Sequence, residues 1–190
     1  DTIIVTRYED LSVEVEDFGR GCPVDYNEKE KRYNWELVFC EMYAGGKYGE
    51  NGENYEYSLG LNGLGSCATQ YASEFFDATV RRDGFRYDLH FEKARNKGGL
   101  KKEPTDRKKT GSVFHWKPDK QVFTDINIPA DYYRDVLRRQ AVVNKGITFR
   151  FRNQIGSKFE TEEYCYNDGI KQYLEELTGD DAFTMPVFWE

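Results

Sequence analysis

Two places in the sequence combine residue types and spacing that could do chemistry. The first is "GLNGLGS", residues 60–66, in which Gly60, Gly63 and Gly65 surround Leu61, Asn62 and Leu64, and Ser66 leads into "CATQYASEF". Each glycine costs backbone entropy on folding. A glycine loop that becomes a helix N-terminus exposes several backbone N–H groups where the helix dipole is positive, which is a ready anion site. The alternative is a flexible surface turn. The spacing is neither a GxGxxG after a strand nor a P-loop, because no GK[ST] follows. The second place is Asp17 in "EDFGRGCP", residues 16–23. Leu11, Val13 and Val15 alternate with Ser12, Glu14 and Glu16, and Asp17 shares the parity of the apolar set. A carboxylate on the core side needs a reason, since burying an unpaired charge is costly. An ionised carboxylate is acceptor-only and suits the exocyclic amino group of adenine, while Gly19 and Gly21 let a ring approach the backbone. Guanine presents a carbonyl at that edge, which a carboxylate repels. The alternative is that Asp17 caps a turn. An adenine pocket at one end and a phosphate cradle at the other imply ATP.

The elements that must position these residues are legible in outline. Residues 2–8 and 11–17 read as a strand pair around a tight "EDLS" turn. Trp35, Val38, Phe39 and Met42 fall at helical spacing within 33–43, and "AGG" predicts the end of that helix. The polar, glycine-rich "GGKYGENGENYEYS" has the composition of a lid. A second helix is predicted over 66–75. Asp83-Gly84 between alternating runs predicts a hairpin. A strand at "GSVFHWKPD", a helix over 131–143, a hairpin from "GITFRFRN" and "KFETEEYCY", and a last helix stopped by Gly179 complete the order. Mostly antiparallel strands interrupted by helices describe an α+β fold, a two-layer sandwich with helices on one face of the sheet.

A chain of 190 residues is about one domain and buries a real core. Four scattered cysteines without a CxxC pair and two histidines in strand-like runs are neither a disulfide framework nor a zinc pattern. No apolar run reaches membrane-spanning length and no signal peptide opens the chain, so a cytoplasmic location is expected. The net charge of −7 argues against strong binding of a nucleic-acid backbone by the chain as a whole. One stretch differs: "KARNKGGLKKEPTDRKK", residues 93–109, holds eight Lys/Arg against Glu103 and Asp106 and leaves −13 for the remainder. It reads as a solvated hairpin loop or as a local phosphate or DNA contact.

The motifs "EDFGRGCP", "YAGGKY" (43–48), "GLNGLGS" and "KKTGSVFHWKPD" (108–119) stand in the order and approximate spacing of one family. They resemble the ATPase domain of bacterial type II topoisomerases of the gyrase B and ParE kind. The similarity extends through "VRRDG" and "PADYYRDVLRRQAVVNKGITFRFRN". It implies a Bergerat-type ATP site on the fold shared with MutL, histidine kinases and related chaperones (the GHKL superfamily), with a mixed, mostly antiparallel sheet. The resemblance makes Asp17 the adenine acceptor and Thr110 the hydroxyl that shares its ordered water. It makes Gly19, Arg20 and Pro23 walls of the base pocket, with Gly21 in the same loop. Arg82 would sit at the pocket mouth, where aminocoumarin inhibitors bind. Lys47 and residues 60–66 would form the lid and phosphate loop. Arg20 and Arg82 as ordinary arginines, and Lys47 as a solvated lysine, are the plainer readings. Phe18 stands where the family usually has Asp or Asn, Asn62 where bacterial members usually have His, and Leu59 where a glycine is usual.

The resemblance further implies ATP and magnesium as cofactors, and ATP binding and hydrolysis that drive dimer closure and DNA strand passage. The partners it implies are DNA, a DNA-cleaving subunit of the gyrase A or ParC type, and a second copy of the ATPase region, with no membrane. It places the general-base glutamate and the magnesium-binding asparagine on a helix upstream of residue 1, and the transducer lysine beyond Glu190. The expected organisation is therefore an ATPase domain over 1–182, without its N-terminal helix, and the start of a transducer over 183–190. Residues 1–190 alone are expected not to turn over ATP. A non-hydrolysing regulatory paralogue and a MutL-like repair ATPase are the alternatives.

Overall fold

The computed structural model describes residues 1–45, 63–179 and 184. It divides into two compact units, one made of residues 1–16 with 127–190 and the other of residues 17–126. Together they carry a mixed sheet and four helices among the described residues, an α+β architecture.

In the first unit, β1 (Thr2–Arg7) lies between β2 (Val13–Asp17) and β10, described below, in the sheet order. The turn before β2 differs from the expected strand. Leu11 takes φ +70°, and the Asp10 carboxylate accepts from the Ser12 N–H at 2.9 Å and from its hydroxyl at 2.6 Å. An Asx-type turn of this kind takes Leu11 out of the ladder.

The second unit is built on β5 (Ser73–Arg82), antiparallel to both β6 (Phe85–Glu92) and β9 (Gly111–Pro118). Before it run the short pair β3 (Tyr26–Asn27) and β4 (Arg32–Tyr33), then α1 (Asn34–Cys40) and α2 (Gly65–Tyr71). Period-two alternation sends Phe76, Ala78 and Val80 of β5 and Tyr87, Leu89 and Phe91 of β6 to one face, where they meet Val24, Val38 and Phe39. At the predicted hairpin Asp83 and Gly84 both take positive φ, +55° and +82°, as a two-residue type I′ connection requires.

Both helices here are shorter than their spacing predicts. α1 stops at Cys40 because Glu41 is extended, held by an ion pair with Arg32, so Met42 is exposed and the fully buried Leu37 joins Val38 and Phe39 instead. α2 stops at Tyr71 because "SEFFDATVRR" alternates with period two and is taken by the sheet; the Ser73 hydroxyl donates to the Thr69 carbonyl at 2.6 Å at the junction. The basic stretch is not all loop. β7 (Arg95–Asn96) and β8 (Lys101–Pro104) both pair with β6, β8 in the register Phe85↔Pro104 to Asp88↔Lys101.

The first unit continues with α3 (Ala130–Val143), β10 (Thr148–Ile155), β11 (Lys158–Tyr164) and α4 (Ile170–Thr178). β10 is parallel to β1 and antiparallel to β11. Its alternation buries Phe149, Phe151 and Asn153, and Tyr133 of α3 stacks on Phe151 at 5.6 Å between centroids. Gly179 ends α4 with φ +49°, as expected for a C-terminal glycine.

Candidate functional site

The loop after β2 is shaped by one carboxylate and two close backbone approaches. Asp17 is half-buried, and its Oδ1 accepts the Gly19 N–H at 2.8 Å. That bond is the turn cap weighed as the alternative role of Asp17, and it leaves the other oxygen without a hydrogen-bond partner among the described residues. Capping and base recognition are compatible, because a carboxylate offers about four lone-pair sites.

Gly21 takes φ +84°, and a Cβ there would stand 2.7 Å from the Arg81 carbonyl oxygen and 3.2 Å from Arg82 Cβ. The loop therefore lies directly on the end of β5. Arg82 closes over it: Nη1 donates to the Gly21 carbonyl at 3.5 Å, Nε pairs with Asp83 at 3.1 Å, and the side chain is 15 % exposed. Gly111 takes φ +132°, and a Cβ there would overlap the Asp17 carbonyl oxygen and stand 3.0 Å from Phe18 Cα. The start of β9 is thus pressed against the backbone of Asp17, which brings Thr110 to the same place. Ser112, buried beside it, accepts the Cys22 N–H at 3.0 Å. Burial pushes the Cys22 thiol up to about 12, with Arg82 pulling it down and Asp17 adding to the rise. Cys22 is therefore un-ionised at neutral pH and acts as packing between these two charges.

Asp17, Gly19, Gly21, Arg82 and Thr110 are thereby collected in one place. Arg20 and Phe18 are exposed, and Pro23 is half-buried beside the fully buried Val24. Gly63, Leu64, Gly65 and Ser66 stand on another element, at the head of α2. Gly63 takes φ +60°, Leu64 is the N-cap, and Gly65 and Ser66 open the helix exposed. Lys47, Gly60, Leu61 and Asn62 lie outside the described residues. Gly111 and Ser112 are missed as site residues by the sequence reading, although both lie in its motif "KKTGSVFHWKPD"; a glycine next to a strand's first hydroxyl was the available signal. Among the described residues no group of three or more His, Cys, Asp or Glu could hold a metal ion, so the magnesium implied by the resemblance finds no donor set there. No helix among them is long and apolar enough to cross a membrane.

This arrangement, an acceptor carboxylate on a strand end beside glycines that admit a flat ring, has counterparts among known proteins. No protein-family model matches the chain. It is 34 % identical over 173 residues, 90 % of its length, to the topoisomerase IV ParE-type protein of Salmonella typhimurium, and 33 % identical over 190 residues to DNA gyrase B of Mycoplasmoides gallisepticum. It spans 27 % and 28 % of the length of those two relatives. Among solved structures, the topoisomerase IV ATP-binding domain of Francisella tularensis, in complex with a small-molecule inhibitor, superposes with TM-score 0.76 and 27 % identity. The match covers 100 % of this chain and 50 % of that one. The 43K ATPase domain of Thermus thermophilus gyrase B, in complex with an aminocoumarin, shares the fold with TM-score 0.75 at 24 % identity, over 94 % of this chain and 44 % of that one. The chain is accordingly a homologue of bacterial DNA gyrase B and its topoisomerase IV counterpart, over a segment with the fold of their ATP-binding domain.

Proposed function

We propose that this chain binds ATP, with adenine at Asp17 and the phosphates toward residues 60–66. In the intact protein this binding would be part of an ATP-driven type II topoisomerase. The observation that supports it most directly is the Asp17 carboxylate, which has one oxygen committed to the Gly19 amide and the other left to accept an amino group. It is pinned in place by Gly111 and faced by a loop whose glycines keep side chains out of the way. Thr110, next to Gly111, would share a water with the base. Arg20 and Pro23 would flank the ring and Arg82 the mouth. Lys47, with Gly60, Leu61, Asn62, Gly63, Leu64, Gly65 and Ser66, would contact the phosphates. Magnesium would accompany the triphosphate, and dimer closure would couple the site to passage of DNA with a DNA-cleaving partner subunit. All of this would take place in the cytoplasm.

Calorimetry with an ATP-competitive aminocoumarin tests the pocket. Asp17→Asn weakens the acceptor and adds a donor, so it is expected to cost roughly 1.5–3 kcal/mol of binding. Unchanged affinity in a folded variant would sink the assignment of Asp17.

A further inference from the structure

Residues 93–109 carry eight Lys/Arg, and the structure sorts them into two groups. Three are engaged: Lys93 Nζ stands 2.7 Å from Asp119 Oδ2, Lys97 Nζ 3.9 Å from Glu92 Oε2, and Lys102 Nζ 4.0 Å above the Phe85 ring. The other five, Arg95, Lys101, Arg107, Lys108 and Lys109, are exposed and have no ion pair with an acid among the described residues. The acid nearest them in sequence is spent on shaping the turn. Asp106 Oδ1 accepts the Lys108 N–H at 3.0 Å, and its carbonyl accepts the Lys109 N–H at 3.0 Å.

We infer that β8 and the turn that follows it are a contact surface for the backbone phosphates of duplex DNA. Pairing with β6 fixes β8, whose four residues are all exposed, so these cations are presented on a frame rather than on a free tail. Arg107 is anchored at its stem, where its Cγ would stand 2.8 Å from a Cβ on Gly84. Residues 101–109 hold no aromatic or branched aliphatic side chain, the anchors that protein interfaces depend on. A surface of point charges without such anchors suits phosphates, which are met one cation at a time with release of counterions. The remainder of the chain, at −13, repels the same polyanion and orients it toward this edge. The choice of DNA among polyanions rests on the proposed function.

The test is anisotropy of a short labelled duplex titrated with the full chain at a series of salt concentrations. Replacing Arg95, Lys101, Lys108 and Lys109 by Ser is expected to lower the slope of log K against log salt by about 3–4, at roughly 0.9 per phosphate contact. Lys29→Ser with Lys31→Ser, on the β3–β4 turn, is the control and is expected to leave the slope as it is. Aminocoumarin affinity, measured on the same variants, is expected to be unchanged and reports separately on the ATP reading. An unaltered slope in the fourfold variant overturns the inference. So does absence of duplex binding by the parent chain at low salt, or binding of polyglutamate with the same sensitivity to the four substitutions.

Discussion

Glycine does different work in two regions of the second unit. Around Asp17 the glycines mark close approach: a side chain at Gly111 would overlap the Asp17 backbone, and one at Gly21 would meet the Arg81 carbonyl at 2.7 Å. In the basic hairpin Gly98 and Gly99 also take positive φ, +86° and +69°, but nothing lies within 4 Å of a Cβ at either. The first region is held by contacts across the fold and has no room to adjust. The second needs only a backbone conformation. Positive φ alone therefore does not identify a constrained site, and the space beside the glycine does.

Substitution separates the two cases. Gly111→Ala combines a conformation unfavourable to an L-residue with overlap against fixed backbone, so a loss of about 3–5 kcal/mol in urea denaturation is expected. Gly21→Ala is expected to follow at roughly 2–4 kcal/mol for the same two reasons, with aminocoumarin affinity falling in whatever fraction folds. Loss of less than about 1 kcal/mol at either position would show that the loop can move off the strand ends and would remove the contrast. Gly98→Ala is expected to cost only about 1 kcal/mol, the conformational part alone. A loss as large as that at Gly111 would mean that the hairpin is also packed.

The smallest effect concerns the β5–β6 pair, which carries both regions. Asp77 and His90 face each other in register, with His90 Nδ1 2.5 Å from Asp77 Oδ1 and Nε2 3.3 Å from Glu92 Oε1. The hydrogen bond to Asp77, followed by that to Glu92, raises the His90 pKa above its ordinary value. A raised folded-state value means that the stabilisation is complete below the unfolded pKa and is lost as pH rises through the folded one. His90 and Asp77 are 41 % and 43 % exposed, so solvent screening holds the effect below ~1 kcal/mol. Urea midpoints of the parent and of His90→Gln across this pH window are the check. The parent is expected to lose its small advantage toward higher pH, and the variant to show no such step. A step of the same size in His90→Gln would assign it to another group.

Much of the second unit was legible because its signals are local. The Asp83-Gly84 turn and the alternation of β5 and β6 each depend on residues two to four apart, as does the close of the last helix at Gly179 in the first unit. The ends of α1 and α2 were not legible, because each was set by competition: Glu41 was drawn off by Arg32, and Ser73 onward was claimed by the sheet. The role of Asp17 was legible as a carboxylate out of place in a strand pattern. Its cap to Gly19 was one of two readings, and the geometry accommodates both.

By itself the sequence determined the α+β class, the order of most elements, the motif that contains Asp17, and the excess of cations in residues 93–109. These follow from composition and short-range periodicity, which do not depend on how strands meet. Only the tertiary structure decided that Gly111 and Ser112 complete the wall beside Asp17, since Cys22 and Ser112 are ninety residues apart and meet through strand pairing. It also decided which of the eight cations are spent and which remain, because an ion pair such as Lys93 with Asp119 forms only when β6 and β9 are packed on either side of β5. Contacts between distant segments are fixed by register and burial. Those are properties of the whole folded chain, and no short window of sequence contains them.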